Sequence, residues 1–304
     1  MHTLPDGFHF FERGWLSSNS LLVHGDDQAV LFDSGYVTHS QQLLSLIHQS
    51  LGSKPLDDIV NTHLHSDHCG GNALLQAHFV DLKTHIPASQ FSDVQSWTSS
   101  ALTYELTGQT CPRFNPTHGL WPSSTFNFSG THWQVFASPG HDNDALIFYE
   151  PDQKILISAD ALWENGMGVI FPEFLEGIGF ENVAKTYDLI ESLRPKLVIP
   201  GHGPLFSDSA SALANARRKL DAYQTEPVKH AIYAAKVLIK FKLMELNSVN
   251  AEEFLRWCCI SPLLIKLHQS YFYALNISSW IQDLLLELEH RKALCFSDQL
   301  ILNL

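Results

Sequence analysis

Within residues 61–71 (N-T-H-L-H-S-D-H-C-G-G) stand three histidines and an aspartate. Imidazole and carboxylate are the donors that suit zinc and its first-row neighbours, and few other uses need them at this density. The spacing has a mechanical reading. The apolar pair Ile59 and Val60 precedes the cluster, so a buried strand over 58–63 is expected, with His63 and His65 projecting to one side. After a turn at Ser66, the adjacent Asp67 and His68 point apart. One pair can then clamp one metal while the other reaches a second beside it. Gly70 and Gly71 let the backbone leave the site tightly. With 17 histidines in 304 residues a chance pair would carry little weight. H-x-H-x-D-H between an apolar strand and Gly-Gly is a far rarer accident.

The elements that must position this cluster repeat one design. The apolar segment 133–137 runs into Ser138-Pro139-Gly140-His141-Asp142, segment 154–157 into Ser158-Ala159-Asp160, and segment 196–199 into Pro200-Gly201-His202-Gly203-Pro204. A lone Pro-Gly-His is usually a plain turn, so the weight lies in the agreement. Together these turns offer seven candidate ligands from one sheet rim: His63, His65, Asp67, His68, His141, Asp160 and His202. Upstream, segments 18–23 and 29–32 flank Gly25-Asp26-Asp27 as a hairpin, and the second strand ends in Asp33-Ser34-Gly35. Asp33 is either a turn residue or a carboxylate that supports a ligand. Helical spacing over 39–51, 180–193 and 210–223, and strands between them, indicate a layered α/β architecture. Residues 88–130 are aromatic and rich in Pro and Gly, too long for a plain loop, and are expected to cover part of the core.

Composition narrows the class. Apolar residues at 45 % and charged residues at 17 % describe a globular chain, without a run of 18 apolar residues that would suit a membrane span. Residues 1–13 show no basic segment followed by an apolar run, so no secretory signal is expected. The five cysteines have no zinc-ribbon spacing and read as reduced thiols of a cytoplasmic protein; Cys69 is expected to pack beside the site rather than ligate. The net charge of −13 argues against a general polyanion binder and is unevenly placed. Residues 225–304 hold eight basic and eight acidic residues, whereas 1–224 hold 11 and 24. Two domains follow: 1–224 with the candidate ligands, and 225–304, a run of helices closed by a short hairpin, of winged-helix-like element order. In that tail Lys229, Lys236 and Lys240 share a helical stripe, expected to be a solvated face.

With T-H-L-H-S-D-H-C-G-G, P-G-H-D, S-A-D and P-G-H-G-P in this order over about residues 15–210, the chain resembles the metallo-β-lactamase fold superfamily. The resemblance implies an αββα sandwich with the site at one edge. It implies His63, His65 and His141 on a first metal, Asp67, His68 and His202 on a second, and Asp160 bridging them. It also favours Asp33 as the supporting carboxylate. Intact His65 and Asp67 point within the superfamily to hydrolases. The nearest groups are the glyoxalase II-like enzymes and the lactamase-like proteins with a C-terminal winged helix, some of which cut single-stranded RNA.

The chemistry so implied is hydrolysis by a metal-bridging hydroxide, with two divalent metal ions, zinc first and manganese or iron as alternatives, and Asp67 orienting the nucleophile. A small thioester, ester or lactone is the expected substrate. The alternatives are a single-strand endoribonuclease using the same site and a mononuclear-iron persulfide-type dioxygenase. Segment 161–177 follows the bridging aspartate directly, so Trp163, Met167, Phe171 and Phe174 are candidates for an apolar substrate wall. A small-molecule substrate is the expected partner; nucleic acid is the weaker one, no membrane is expected, and a homodimer is left open.

Overall fold

The computed structural model describes residues 3–98 and 101–304. Its contacts divide the chain into two compact units, residues 1–102 with 110–220, and residues 103–109 with 221–304.

The first unit is built on two sheets. One runs in order through β1 (Phe8–Phe11), β2 (Ser20–His24), β3 (Ala29–Phe32), β4 (Asp58–Val60), β5 (Lys83–Pro87) and β6 (His118–Leu120). The other holds β7 (Thr125–Phe128), β8 (Thr131–Ala137), β9 (Leu146–Glu150), β10 (Ile155–Ala159) and β11 (Leu197–Pro200), with β11 at one edge. Alternation along the strands sorts the side chains into layers. Leu21, Val23, Val30 and Phe32 face the second sheet and meet Trp133, Val135, Phe148, Ile155, Ile157 and Ile199 in the central core. Leu22, Leu31 and Ile59 face the other way, onto Leu43 and Ile47 of the helix Ser40–Leu51 and Leu75 of the helix Asn72–His78. On the far side of the second sheet lies the helix Gly179–Leu193, tied to β9 by the Tyr149 hydroxyl donating to Leu193 O at 3.0 Å. The result is the expected αββα layering.

Strand direction places the candidate ligands. β3 to β6 run parallel, as do β10 and β11, and β8 is antiparallel to β9, which is antiparallel to β10. The carboxyl ends of β8, β10 and β11 therefore share one side, and the chain after each carries a candidate ligand.

One local expectation changes. The strand ends at Val60, not at residue 63, because Thr62 gives its backbone N–H to the Asp33 carboxylate at 2.9 Å instead of to a neighbouring strand. Residues 61–65 leave the sheet as a loop, and Asp67 and His68 sit on the one-turn helix Ser66–Cys69.

In the second unit the helices Pro227–Leu246, Ala251–Ile260, Pro262–Tyr271 and Ile277–His290 precede a hairpin of β13 (Leu294–Ser297) and β14 (Leu300–Asn303). A strand absent from the sequence reading, β12 (Ser248–Asn250), pairs with β14 and makes a three-stranded sheet. The lysine stripe is not a uniformly solvated face. Lys229 is exposed, but Lys236 pairs with Glu287, and Lys240 donates to Asn303 Oδ1 at 2.6 Å and Leu304 O at 2.9 Å, fastening the hairpin to the long helix.

Candidate metal centre

Seven buried or nearly buried side chains converge in two groups: His63, His65 and His141, and Asp67, His68, Asp160 and His202. In the first, His65 Nδ1 lies 3.0 Å from His63 Nε2 and 2.8 Å from His141 Nε2. In the second, His202 Nε2 lies 3.1 Å from Asp67 Oδ2, and His68 Nε2 lies 3.9 Å from the same oxygen. Asp160 stands between them. Its Oδ2 is 3.4 Å from His141 Nε2 and 3.8 Å from His202 Nε2, while Oδ1 is 3.4 Å from His68 Nε2.

Outer partners decide which nitrogen of each ring is free. A carbonyl only accepts, so His141 Nδ1, 2.6 Å from Val169 O, carries the proton and Nε2 keeps a lone pair toward the cluster. Asp33 accepts from His68 Nδ1 at 2.8 Å and from the Thr62 hydroxyl at 2.8 Å. Having donated there, the Thr62 oxygen accepts from His63 Nδ1 at 3.1 Å, so His63 also turns a bare Nε2 inward. His65 sends Nε2 toward Asp142, 3.6 Å away, and Nδ1 into the cluster. His63 and His141 thus each turn an unprotonated nitrogen to the same small volume, which the His65 and His68 rings also border. Lone pairs facing one another repel unless a cation lies among them, so this donor set fits divalent metal ions. The buried Nε2 of His68, 3.4 Å from Asp160 Oδ1 without a well-formed hydrogen bond, is a further donor position that a cation would fill.

Electrostatics separates the groups. Burial, reinforced by the neighbouring imidazoles, pushes His63 well below the ordinary histidine value and His65 down to about 3. Burial alone would lower His68 too, but the carboxylates of Asp160, Asp33 and Asp67 outweigh it and hold His68 well above its ordinary value. Burial would raise Asp160, but His202, His68 and His141 hold it well below the carboxylate range.

Local backbone serves this geometry. Ala159 takes a left-handed φ of 46°, a conformation an alanine adopts only at some cost, and this turns Asp160 off the end of β10. A Cβ on Gly201 would lie 2.1 Å from Asp160 Oδ1, so only glycine lets β11 pass beneath that carboxylate.

Three of the four expected wall residues border the cluster, Met167 by lining a small cavity with His141 and Asp160. Trp163 Nε1 donates to Asp160 Oδ1 at 3.2 Å, and the Phe171 ring stands edge-on to His65 at 5.2 Å. Met167 is buried, with the Tyr187 hydroxyl 3.7 Å from its sulfur, and Phe174 is half-buried on the short helix Phe171–Leu175. Cys69 is buried, its thiol donating to His65 O at 3.3 Å. Sequence reading missed Thr62, Asp142, the Val169 carbonyl and Trp15, whose ring stacks on His202 at 5.4 Å. Thr62 and Asp142 lay inside quoted motifs; Val169 and Trp15 carry no signal of their own.

The metallo-beta-lactamase superfamily profile matches residues 13–202, and the chain belongs to that superfamily. It is 26% identical over 197 residues to a protein named probable metallo-hydrolase YqgX of Bacillus subtilis, covering 63% of this chain and 87% of that one. It is 27% identical over 161 residues to a hydroxyacylglutathione hydrolase of Rhizobium meliloti; that match spans 53% of this chain and about half, 51%, of the relative. Among solved structures, a metallo-beta-lactamase family protein from Thermus thermophilus, TTHA1429, shares the fold, with a TM-score of 0.60 and 15% identity over 99% of this chain and 100% of the other. Family and relatives support the expectation of an enzyme, a metal-dependent hydrolase. No helix among the described residues is long and apolar enough to cross a membrane.

Proposed function

We propose that the chain is a binuclear metal-dependent hydrolase of a small thioester, ester or lactone. In this reading His63, His65 and His141 hold one divalent ion, Asp67, His68 and His202 hold a second, and Asp160 is shared. The observation that carries it is the position of Asp160, whose two oxygens lie within 3.4–3.8 Å of ring nitrogens from both groups. When bound, such ions supply Lewis acidity that polarises an acyl carbonyl and makes water nucleophilic near neutral pH. Zinc suits these nitrogen and oxygen donors, and manganese or iron would be accepted by them as well.

The protein's own groups do the positioning. Asp67 is assigned to hold and orient the attacking water, its Oδ2 lying 3.1 Å from His202 Nε2 on the same side of the cluster. The Trp163 N–H, donating to Asp160 Oδ1, restricts rotation of the shared carboxylate. Asp33 fixes His68 directly and His63 through Thr62, so one buried carboxylate orients a donor in each group. Among the described residues, the seven side chains form ion pairs with one another and with Asp33 and Asp142, none with Arg or Lys. A leaving group that departs as a stable anion is therefore favoured, which ranks thioesters above alkyl esters, since a thiol ionises near about 8.5. The relatives named hydroxyacylglutathione hydrolase agree with a thioester. The five free cysteines suit a reducing, cytoplasmic setting.

The test is one panel of thioesters, lactones, phosphodiesters, single-stranded RNA and a persulfide, run on a sample whose metal content is measured. Turnover of thioesters or lactones with two ions per chain is expected. One iron per chain with oxygen uptake on the persulfide, or cleavage of RNA alone, would overturn the reading.

A further inference from the structure

Trp15 is a large apolar side chain left open to solvent beside a buried reactive cluster. It is 58% exposed. One face of its indole lies on the His202 ring, centroids 5.4 Å apart and planes 14° from parallel, and it packs edge-to-face with Trp163 at 5.3 Å. Trp163 in turn bonds Asp160 and packs at 5.3 Å against His202. On the other donor group, Phe171 stands at 5.2 Å from His65 and 5.6 Å from His141. Aromatic rings thus flank both groups of the cluster.

The segment bearing Trp15 is held rigidly. Asn19 donates through Nδ2 to Pro200 O at 3.0 Å and Gly203 O at 2.8 Å, on either side of His202, and accepts from Arg13 N at 2.8 Å. Ser18 N donates to Asp67 O at 2.9 Å. The indole is therefore set against the cluster before any ligand arrives, which lowers the entropy lost on binding. An exposed tryptophan fixed in this way is a stacking platform rather than a surface accident.

We propose that Trp15, with Trp163 and Phe171, forms a binding site for an apolar acyl group of a neutral substrate. The occupant follows from the chemistry around it. The three rings offer apolar contact, and residues 1–224 carry 24 acidic against 11 basic side chains, so an anionic acyl chain is disfavoured. The inference rests on the hydrolase reading and specifies its substrate class.

The experiment compares acetyl, hexanoyl and phenylacetyl thioesters of one neutral thiol, N-acetylcysteamine, on metal-loaded full-length protein, Trp15→Ala and Trp15→Phe. Metal content is measured on each sample. Binding of the non-hydrolysable phenethyl thioether of the same thiol is read by calorimetry. Expected are a preference for phenylacetyl over acetyl in kcat/KM, a fall of that ratio by about tenfold in Trp15→Ala expressed in KM, and retention of most of it in Trp15→Phe. The thioether should bind Trp15→Ala about tenfold more weakly. If no thioester turns over yet this binding difference is found, the hydrolase reading fails while the apolar site stands. A ratio unchanged by both variants, or an equal loss for all three acyl groups together with loss of metal, would overturn the proposal and reduce Trp15 to a support for His202.

Discussion

The two donor groups of the cluster are both largely buried but differ in charge. His63, His65 and His141 form a neutral set, kept unprotonated because burial penalises imidazolium more than the nearby carboxylates favour it. Asp67, His68, Asp160 and His202 form a charged set, in which the two carboxylates are held low by the histidines beside them and in turn hold His68 high. Burial alone favours bare lone pairs in the neutral set, whereas in the charged set the carboxylates that favour a proton on His68 would equally favour a metal cation. Asp160 belongs by proximity to both, so the halves are not independent.

The largest effect should come from removing what they share. Asp160→Ala is expected to lower kcat by at least about 10³-fold and to lose one ion or more per chain, read by steady-state kinetics with elemental analysis. Next come substitutions confined to one side. His141→Ala should deplete the neutral set and His202→Ala the charged set, each leaving about one ion per chain; loss of both ions in either variant would show the groups to be a single unit. Asp33 touches neither ion in this account but orients a donor in each group, so Asp33→Asn should weaken metal affinity about 10–100-fold without abolishing folding, and Thr62→Val should fall at the lower end of that range. Competition with a chromogenic chelator measures both.

A second buried Asp–His pair provides the control with the smallest effect on activity. Asp58 accepts from His85 at 2.6 Å and from Gln28 at 2.7 Å inside the first sheet, away from the seven. Burial would raise its carboxyl, yet these bonds hold it below the ordinary value. A carboxyl depressed in the folded state stabilises the fold above its unfolded pKa, and the contribution is lost as pH falls through the folded value. Asp58→Asn should therefore cost about 1–3 kcal/mol at neutral pH, progressively less below about pH 4, with metal content unchanged. Denaturant melts across that range test it.

All seven candidate ligands could be read from the chain because each follows an apolar strand at a small-residue turn, a local pattern. The layered fold could be read for the same reason. What escaped depends on distant partners. The early end of β4 follows from Asp33 capturing the N–H of Thr62, 29 residues away. The proton on His141 is set by the Val169 carbonyl, and any residue type could have supplied it. Trp15 lies in an irregular segment with no periodicity, placed by the bonds of Asn19 to the turn around His202 and of Ser18 to Asp67. Lys240 looked solvated because helical spacing reports a shared face but not what packs on it.

The central claim is that these residues form one centre for two ions joined through Asp160. Anomalous diffraction from crystals of the metal-loaded protein tests it most directly. Two peaks are expected, one among His63, His65 and His141 and one among Asp67, His68 and His202, with Asp160 oxygens reaching both. A single peak at full metal loading, or two peaks with Asp160 touching only one, would contradict it.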